Sequence, residues 1–411
     1  MSKKDKRENA SPRLYNNLVT AVIEALENTF GKNFYADKVI ERILKSNKKW
    51  GARDRAFIAE STYEIVRWWR YLWELYGKEP SLKPQELYRL FGVYWQWKGY
   101  ELSEWHQFEY VRDFDIEKAK RSLPNTVGVQ QSYPIWFDEL AAEELGKRWP
   151  NVAKAMNTPA ELIIRTNTLM ASRAELHKRL KDEGVESQAF PGNEVGLILK
   201  NRVNAFRHES FKKGYFEVQD GGSQMISPFL DVQPGMKVID ACAGGGGKSL
   251  HLAALMENKG SIISMDVEAW KLQELKKRAK RNGVHNIEIR HIESTKTIKR
   301  LKDKADRLLL DVPCSGTGVI KRNPDTKWKL QPDHLDRVTK IQSDIIRDYS
   351  KMLKPGGKMV YATCSILKRE NEEQVNTFLA EHSNFELLEQ KRVDPSETTD
   401  GFYMALIQKN K

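Results

Sequence analysis

The chain carries three cysteines, and each stands directly after a short apolar run: Cys242 in "KVIDACAGG", Cys314 in "RLLLDVPCSGTG" and Cys364 in "KMVYATCS". Runs of this kind read as strands, so all three thiols fall at carboxyl ends, where open α/β sheets hold their ligands. A free cysteine is often only a small buried hydrophobe, but three such positions together point to thiol chemistry. No CxxC pair or histidine motif accompanies them, so no metal site is expected. Beside Cys242 runs "AGGGGKS". A phosphate-binding P-loop needs a glycine five positions before the glycine of its Gly-Lys-Ser, and that position holds Cys242. Asp311 stands where a second acid of such a site could lie, yet the motif is a near miss. A nucleoside cofactor fits better. Gly244, Gly245, Gly246 and Gly247 let a ligand approach the backbone, and Asp266, closing the next strand "SIISMD", can accept ribose hydroxyls. The same geometry suits S-adenosylmethionine.

A thiolate and a methyl donor together imply one reaction. The C5 carbon of a pyrimidine is a poor nucleophile until a thiolate adds to C6. C5 can then take a methyl group, and loss of its proton with expulsion of the thiolate restores the base. Negative charge builds toward N3 and O2, where an acid would relieve it. Asp311, three residues before Cys314, has that placement, and Lys248 offers positive charge nearby. The chemistry alone does not choose between Cys314 and Cys364 as the nucleophile.

The elements that must carry these residues change character along the chain. Residues 1–12 read as a flexible polar tail. From 13 to 145 the pattern is helical, with Ile58, Ile65, Trp69, Leu72 and Tyr76 marking one long amphipathic helix in "ARDRAFIAESTYEIVRWWRYLWELYG". Most of the 11 tryptophans lie here and are expected to fill a helical core. "RSLPNTVGVQQSYPIWF" reads as a linker. Residues 146–214 give strand, helix and loop, a small mixed α/β segment. Beyond 215, strands alternate with charged helices, which predicts a mostly parallel sheet covered on both faces. The formal net charge of +12 suggests a polyanionic partner. No run is long enough to span a membrane, and the charged N-terminus is unlike a signal peptide. A cytoplasmic monomer is the plain expectation.

"DACAGGGGKS", "ADRLLLDVPCSGTGVIKRNPDTKW", "LKPGGKMVYATCSILKRENEEQV" and "TTDGFYMALIQK" together resemble the RNA cytosine-C5 methyltransferases of the RsmB/NOP2/Sun family, over roughly 215–411. "RDRAFIAESTYEIVR" resembles the NusB-like RNA-binding domain of the bacterial 16S rRNA member, and "IIRTNTL" with "LHKRLKDEG" its small RNA-binding segment. The resemblance implies a Rossmann-like class I methyltransferase domain. It implies Cys364 as nucleophile and Cys314 as an aid to product release. It assigns the backbone of Ala243 to Lys248 and the side chain of Asp266 to S-adenosylmethionine, puts Asp311 and Lys248 near methyl group and base, and gives Glu293 the adenine side. The family loop usually has proline where Gly245 stands and threonine where Ser249 stands, and its third-strand acid is usually aspartate rather than Glu293. Lys321 and Arg322, just past the Cys314 loop, are expected to meet phosphates beside the target base. Small-subunit rRNA is the expected partner. A tRNA methyltransferase, or a noncatalytic RNA-binding assembly module on the same scaffold, are the competing readings.

Overall fold

The computed structural model describes residues 12–200 and 204–411, so the tail expected over 1–12 lies outside the described residues save for Pro12. The chain divides into two compact units, Met1–Asn157 together with Arg322–Lys329, and Thr158–Lys321 together with Leu330–Lys411.

The first unit is helical. The long helix expected over 52–76 is two, Ala52–Arg67 and Trp69–Tyr76, because Trp68 leaves the helical region at φ −104°, ψ 21°. The break is stabilised locally: Ser132 Oγ accepts the freed Tyr71 N–H at 3.1 Å. It turns Trp69 and Trp73 into a core with Leu26, Leu72, Phe91 and Phe108, and Phe30 stacks on Trp69 with centroids 3.8 Å apart. Trp69, Trp73, Trp95 and Trp149 are buried as expected, whereas Trp270, in the other unit, is 67% exposed. The expected linker around 121–137 is instead part of this unit. Tyr133 is fully buried and packs edge-on to Trp149 at 4.9 Å, so the helical unit runs to Asn157 rather than 145.

The segment 322–329 belongs to this helical unit through its side chains. Lys327 is buried, which lowers its pKa well below the ordinary value, and its Nζ donates to the carbonyls of Arg67, Gln131 and Ser132 and to Asn157 Oδ1 at 2.7 Å. Asp325 Oδ2 accepts the Ala36 N–H at 3.0 Å, the first of the helix Ala36–Ser46. Trp328 Nε1 donates to Val66 O at 2.6 Å. These contacts are specific enough to override sequence neighbourhood.

The second unit holds two sheets. In the smaller, β1 (Leu162–Thr166), β2 (Ser187–Ala189), β3 (Gly196–Leu199) and β4 (Phe216–Val218) lie in the order β2-β3-β1-β4, all antiparallel. Its helix, Arg173–Asp182, starts at a capping box in which Ser172 and Glu175 exchange hydrogen bonds. The stretch after that helix, expected as a loop, is the β2–β3 hairpin. Among the described residues the larger sheet has seven strands: β5 (Lys237–Asp240), β6 (Ser261–Asp266), β7 (Ile287–His291), β8 (Ala305–Asp311), β9 (Leu353–Thr363), β10 (Phe385–Val393) and β11 (Phe402–Lys409). Their order is β10-β11-β9-β8-β5-β6-β7. From β9 to β7 all neighbours are parallel, and β11 and β10 add two antiparallel pairings. Near-continuous apolar runs such as Leu308–Leu310, buried on both faces, fit this parallel centre. The order reverses between β5 and β8, and ligands of such sheets bind outside the strand ends at that point.

Candidate active site

The glycine loop leaves β5 at this reversal. Ala243 donates its N–H to Met265 O at 2.8 Å, and Gly246 N–H closes back on Ala243 O at 2.8 Å. Gly246 has φ +84°, and a Cβ there would lie 2.4 Å from Leu275 Cγ, so only glycine fits. Gly244, at φ +52°, would meet nothing within 4 Å, which leaves open space over the loop for a ligand. The helix Gly247–Leu255 starts directly after it. Asp266 ends β6 and holds the loop from beside it. Its Oδ2 accepts Gly244 N–H and its Oδ1 accepts Glu268 N–H, both at 2.8 Å, and each oxygen keeps a second lone pair for a ligand hydroxyl. This cradle and this acceptor fit the nucleoside part of S-adenosylmethionine.

Two arginines absent from the sequence reading complete the loop. Arg278 donates to Gly245 O at 2.6 Å and Arg165, in β1, to Gly247 O at 2.8 Å. Both answer to buried Glu217 in β4: Arg278 is 3.0 Å from it, Arg281 also bonds it, and Asn282 Nδ2 lies at 2.5 Å. Burial, partly offset by Glu217, lowers Arg165 to about 9. The small sheet and the catalytic sheet lie in one compact unit. No motif spacing marks Arg165 or Arg278, since they come from separate elements.

Lys248 lies in the first turn of the helix and reaches Asp311 Oδ2, at the end of β8, at 2.6 Å. Burial works against its charge, but the charge and hydrogen bond of Asp311, and then the charges of Cys364 and Asp240, raise its pKa. Lys248 therefore stays an ammonium between a carboxylate and a thiol. Asp240, one strand over, is buried and pushed up to about 7 by desolvation, although Ser249 Oγ donates to it at 2.6 Å.

The two remaining cysteines meet. β8 and β9 are parallel neighbours in the register Asp311↔Ala362, and Cys314 Sγ and Cys364 Sγ stand 3.2 Å apart. The hydrogen bond to Cys364 raises the Cys314 thiol well above its ordinary value, and burial adds to the effect. At this distance either sulfur can donate to the other. Cys242 is also raised, chiefly by burial, which keeps it an unreactive thiol.

Glu370 holds the two thiol loops together and was not singled out from sequence. It is fully buried. Its carboxylate accepts Ser315 N–H at 2.8 Å, the Ser315 hydroxyl, the Ser365 hydroxyl at 2.5 Å and Gln342 Nε2 at 3.0 Å. Ser315 and Ser365 are the residues that follow the two cysteines. Gly318 N–H donates to Cys364 O at 2.8 Å, and a Cβ on Gly318 would come within 2.2 Å of Gly401 O. The serines of "PCSG" and "TCS" were the only available signal for this network.

Two expected positions differ. Lys321 does not face a phosphate strand. It is 3% exposed, its ammonium donates to Ser396 O and, at 2.7 Å, to Thr399 O, and Asp400 lies 4.0 Å away. An ammonium this deep is satisfied by carbonyls because leaving it unpaired would be too costly. Glu293 lies beyond β7 with its side chain 80% exposed, 3.8 Å from His291. Arg322 is partly exposed and falls in the segment of the helical unit.

Residues 227–408 match the family model described as 16S rRNA methyltransferase RsmB/F, and 133–205 match the ferredoxin-like domain of RsmF/B-like methyltransferases. The probable ribosomal RNA small subunit methyltransferase B of Bacillus subtilis is 35% identical over 283 residues, which cover 68% of this chain and 62% of that protein. The ribosomal RNA small subunit methyltransferase B of Yersinia pseudotuberculosis is 31% identical, covering 72% and 70%. The crystal structure of PH0851 superposes with a TM-score of 0.77 at 25% identity, over 97% of this chain and 100% of that one. A helical front, a mixed α/β body and a sheet like that of class I methyltransferases, carrying these motifs in order, place this chain in the RsmB/F methyltransferase family.

Proposed function

We propose that the chain methylates C5 of a cytosine in 16S rRNA, using S-adenosylmethionine and a covalent adduct to Cys364, in the cytoplasm. The observation that carries this is the thiol pair at 3.2 Å beside the Lys248–Asp311 ion pair at 2.6 Å. Family membership supports the reaction class, and the names of the relatives support rRNA as substrate. When bound, S-adenosylmethionine supplies the electrophilic methyl group. Ala243 to Gly247 hold its backbone-facing side, and Asp266 takes its ribose hydroxyls. The Cys364 sulfur adds to C6, and the electron pair displaced from the C5–C6 bond makes C5 nucleophilic. The Lys248 ammonium, held in place by the Asp311 carboxylate, offers positive charge toward N3 and O2 as negative charge develops there. After methyl transfer the C5 proton passes to solvent, its electron pair re-forms the C5–C6 double bond, and the C6–sulfur bond breaks with its pair returning to the Cys364 sulfur. Cys314, still protonated, donates its S–H to the departing Cys364 sulfur. The resemblance of the "TCS" block to the family's supports Cys364 rather than Cys314 as nucleophile. The target base must leave its stack to reach them.

Bisulfite sequencing of total RNA from a deletion strain tests substrate and position together. We expect one or more methylcytosines missing from 16S rRNA. A methylcytosine lost from tRNA, with rRNA unchanged, would overturn the substrate. A calorimetric titration in which ATP binds and S-adenosylmethionine does not would overturn the cofactor.

A further inference from the structure

The loop before the helix Ala36–Ser46 presents two adjacent aromatic rings to solvent. Phe34 is 47% and Tyr35 65% exposed. Single exposed aromatics are ordinary, but these two are consecutive and each carries a cation. The Arg42 guanidinium lies 5.8 Å from the Phe34 centroid and the Lys329 ammonium 5.3 Å from that of Tyr35. The loop is also held in place. Lys329 Nζ donates to Phe34 O at 2.8 Å and to Asn33 Oδ1 at 3.1 Å, and Asp325 takes the Ala36 N–H. Rings on a pinned loop lose little entropy when something stacks on them. The helix that follows buries Ala36, Val39, Ile40 and Ile43. Its other face carries Lys38, Arg42 and Lys45, at spacings of four and three, all exposed. By the helical rise they span roughly 10 Å along one side. Lys45 has Glu41 at 2.6 Å and Lys38 has Asp37 at 3.5 Å, so Arg42 is the cation of the three given no carboxylate partner among the described residues. Over 32–49 six Lys/Arg face two acids, the same sign as the net charge of +12.

We propose that Phe34 and Tyr35 are a stacking platform for the bases of a single-stranded RNA segment, whose phosphates run along Lys38, Arg42 and Lys45. Planar rings with flanking cations suit bases of any sequence, because every base has a π-face. An acidic protein would use the cations and gain little from two upright rings. The proposal rests on the RNA methyltransferase reading and adds which residues of the helical unit grip the RNA. The platform hangs from Asp325 and Lys329, which belong to the same helical unit.

The test is fluorescence anisotropy of the full chain with a labelled oligouridine dodecamer at several salt concentrations, alongside calorimetry with S-adenosylmethionine. The variant combining Phe34→Ala and Tyr35→Ala should bind the RNA about tenfold more weakly, with an unchanged salt slope and unchanged cofactor affinity. Arg42→Gln should lower the slope by about 0.7. The pair Phe34→Leu and Tyr35→Leu keeps apolar bulk and should lose the same affinity, which separates stacking from general packing. Unchanged RNA affinity without the rings would overturn the platform. So would an oligoglutamate dodecamer that binds wild type as tightly as the RNA does. A wild-type chain that binds no S-adenosylmethionine, yet loses RNA with the rings, would overturn the methyltransferase reading and leave the platform standing.

Discussion

At the scale of single residues, the site depends on two cysteines with different roles, Cys364 and Cys314, and on buried Glu370 behind them. Cys364→Ala should abolish both methylation and the denaturation-resistant RNA complex. Cys314→Ala should keep the adduct and accumulate it, because the donor to the departing sulfur, 3.2 Å away, is gone. Denaturing gels under reducing conditions read this, since a C6 thioether survives reductant. An adduct in the Cys364 variant with none in the Cys314 variant would reverse the roles. Glu370 acts one step back, through Ser315 and Ser365. Glu370→Gln should let the thiols drift and lower kcat about a hundredfold with little change in cofactor affinity. Equal losses in both would mark it as a fold residue only. Asp240 bears on stability rather than turnover. Its folded pKa, about 7, is above its ordinary value, so the folded state holds the proton more tightly. That contribution is full below about pH 4 and is lost as pH rises through about 7. Asp240→Asn should flatten the pH dependence of unfolding by denaturant across this window, by at most roughly 4 kcal/mol. A wild-type stability that does not fall between those limits would disprove it.

At the scale of elements, the glycine loop is shaped less by its own motif than by what grips it. The motif places four glycines after β5, and the positive φ at Gly246 requires one of them. Gly246→Ala should cost roughly 2 kcal/mol of strain and displace Leu275, weakening S-adenosylmethionine binding in a titration. Wild-type affinity in that variant would mean that the loop gives way without consequence. The carbonyls of Gly245 and Gly247 are fixed from outside by Arg278 and Arg165. These two partners were not legible because they are 33 and 82 residues from the oxygens they cap, and hydrogen-bond donors of that kind occur all along a basic chain. The single long helix read over 52–76 failed for a related reason. Its apolar spacing is continuous, but Ser132, far along the chain, offers the Tyr71 N–H a partner that lets the helix break at Trp68. Periodicity reports which residues are buried and is blind to such a break.

At the scale of the whole molecule, the chain leaves the catalytic unit at Lys321, passes through the helical unit as Arg322–Lys329 and returns at Leu330. Lys327 is the anchor of that excursion. Lys327→Met would strand the carbonyls of Arg67, Gln131 and Ser132, at roughly 3 kcal/mol. It should lower the unfolding temperature and speed hydrogen exchange across 322–329. Exchange at wild-type rate there would show that the segment is held without it. The sequence by itself determined the alternation of strand and helix after 215, the addresses of Cys242, Cys314 and Cys364 at strand ends, the glycine loop and Asp266. All of these rest on local pattern, and local pattern is carried by neighbouring residues. Only the tertiary structure decided that Cys314 and Cys364 touch, through a parallel β8–β9 register. It also buried Lys321 against backbone carbonyls, gave Glu370 both serines, and moved 322–329 into the helical unit. Each of these depends on pairings between distant parts of the chain, where burial and unsatisfied hydrogen-bonding groups, not the residue's type, choose the partner.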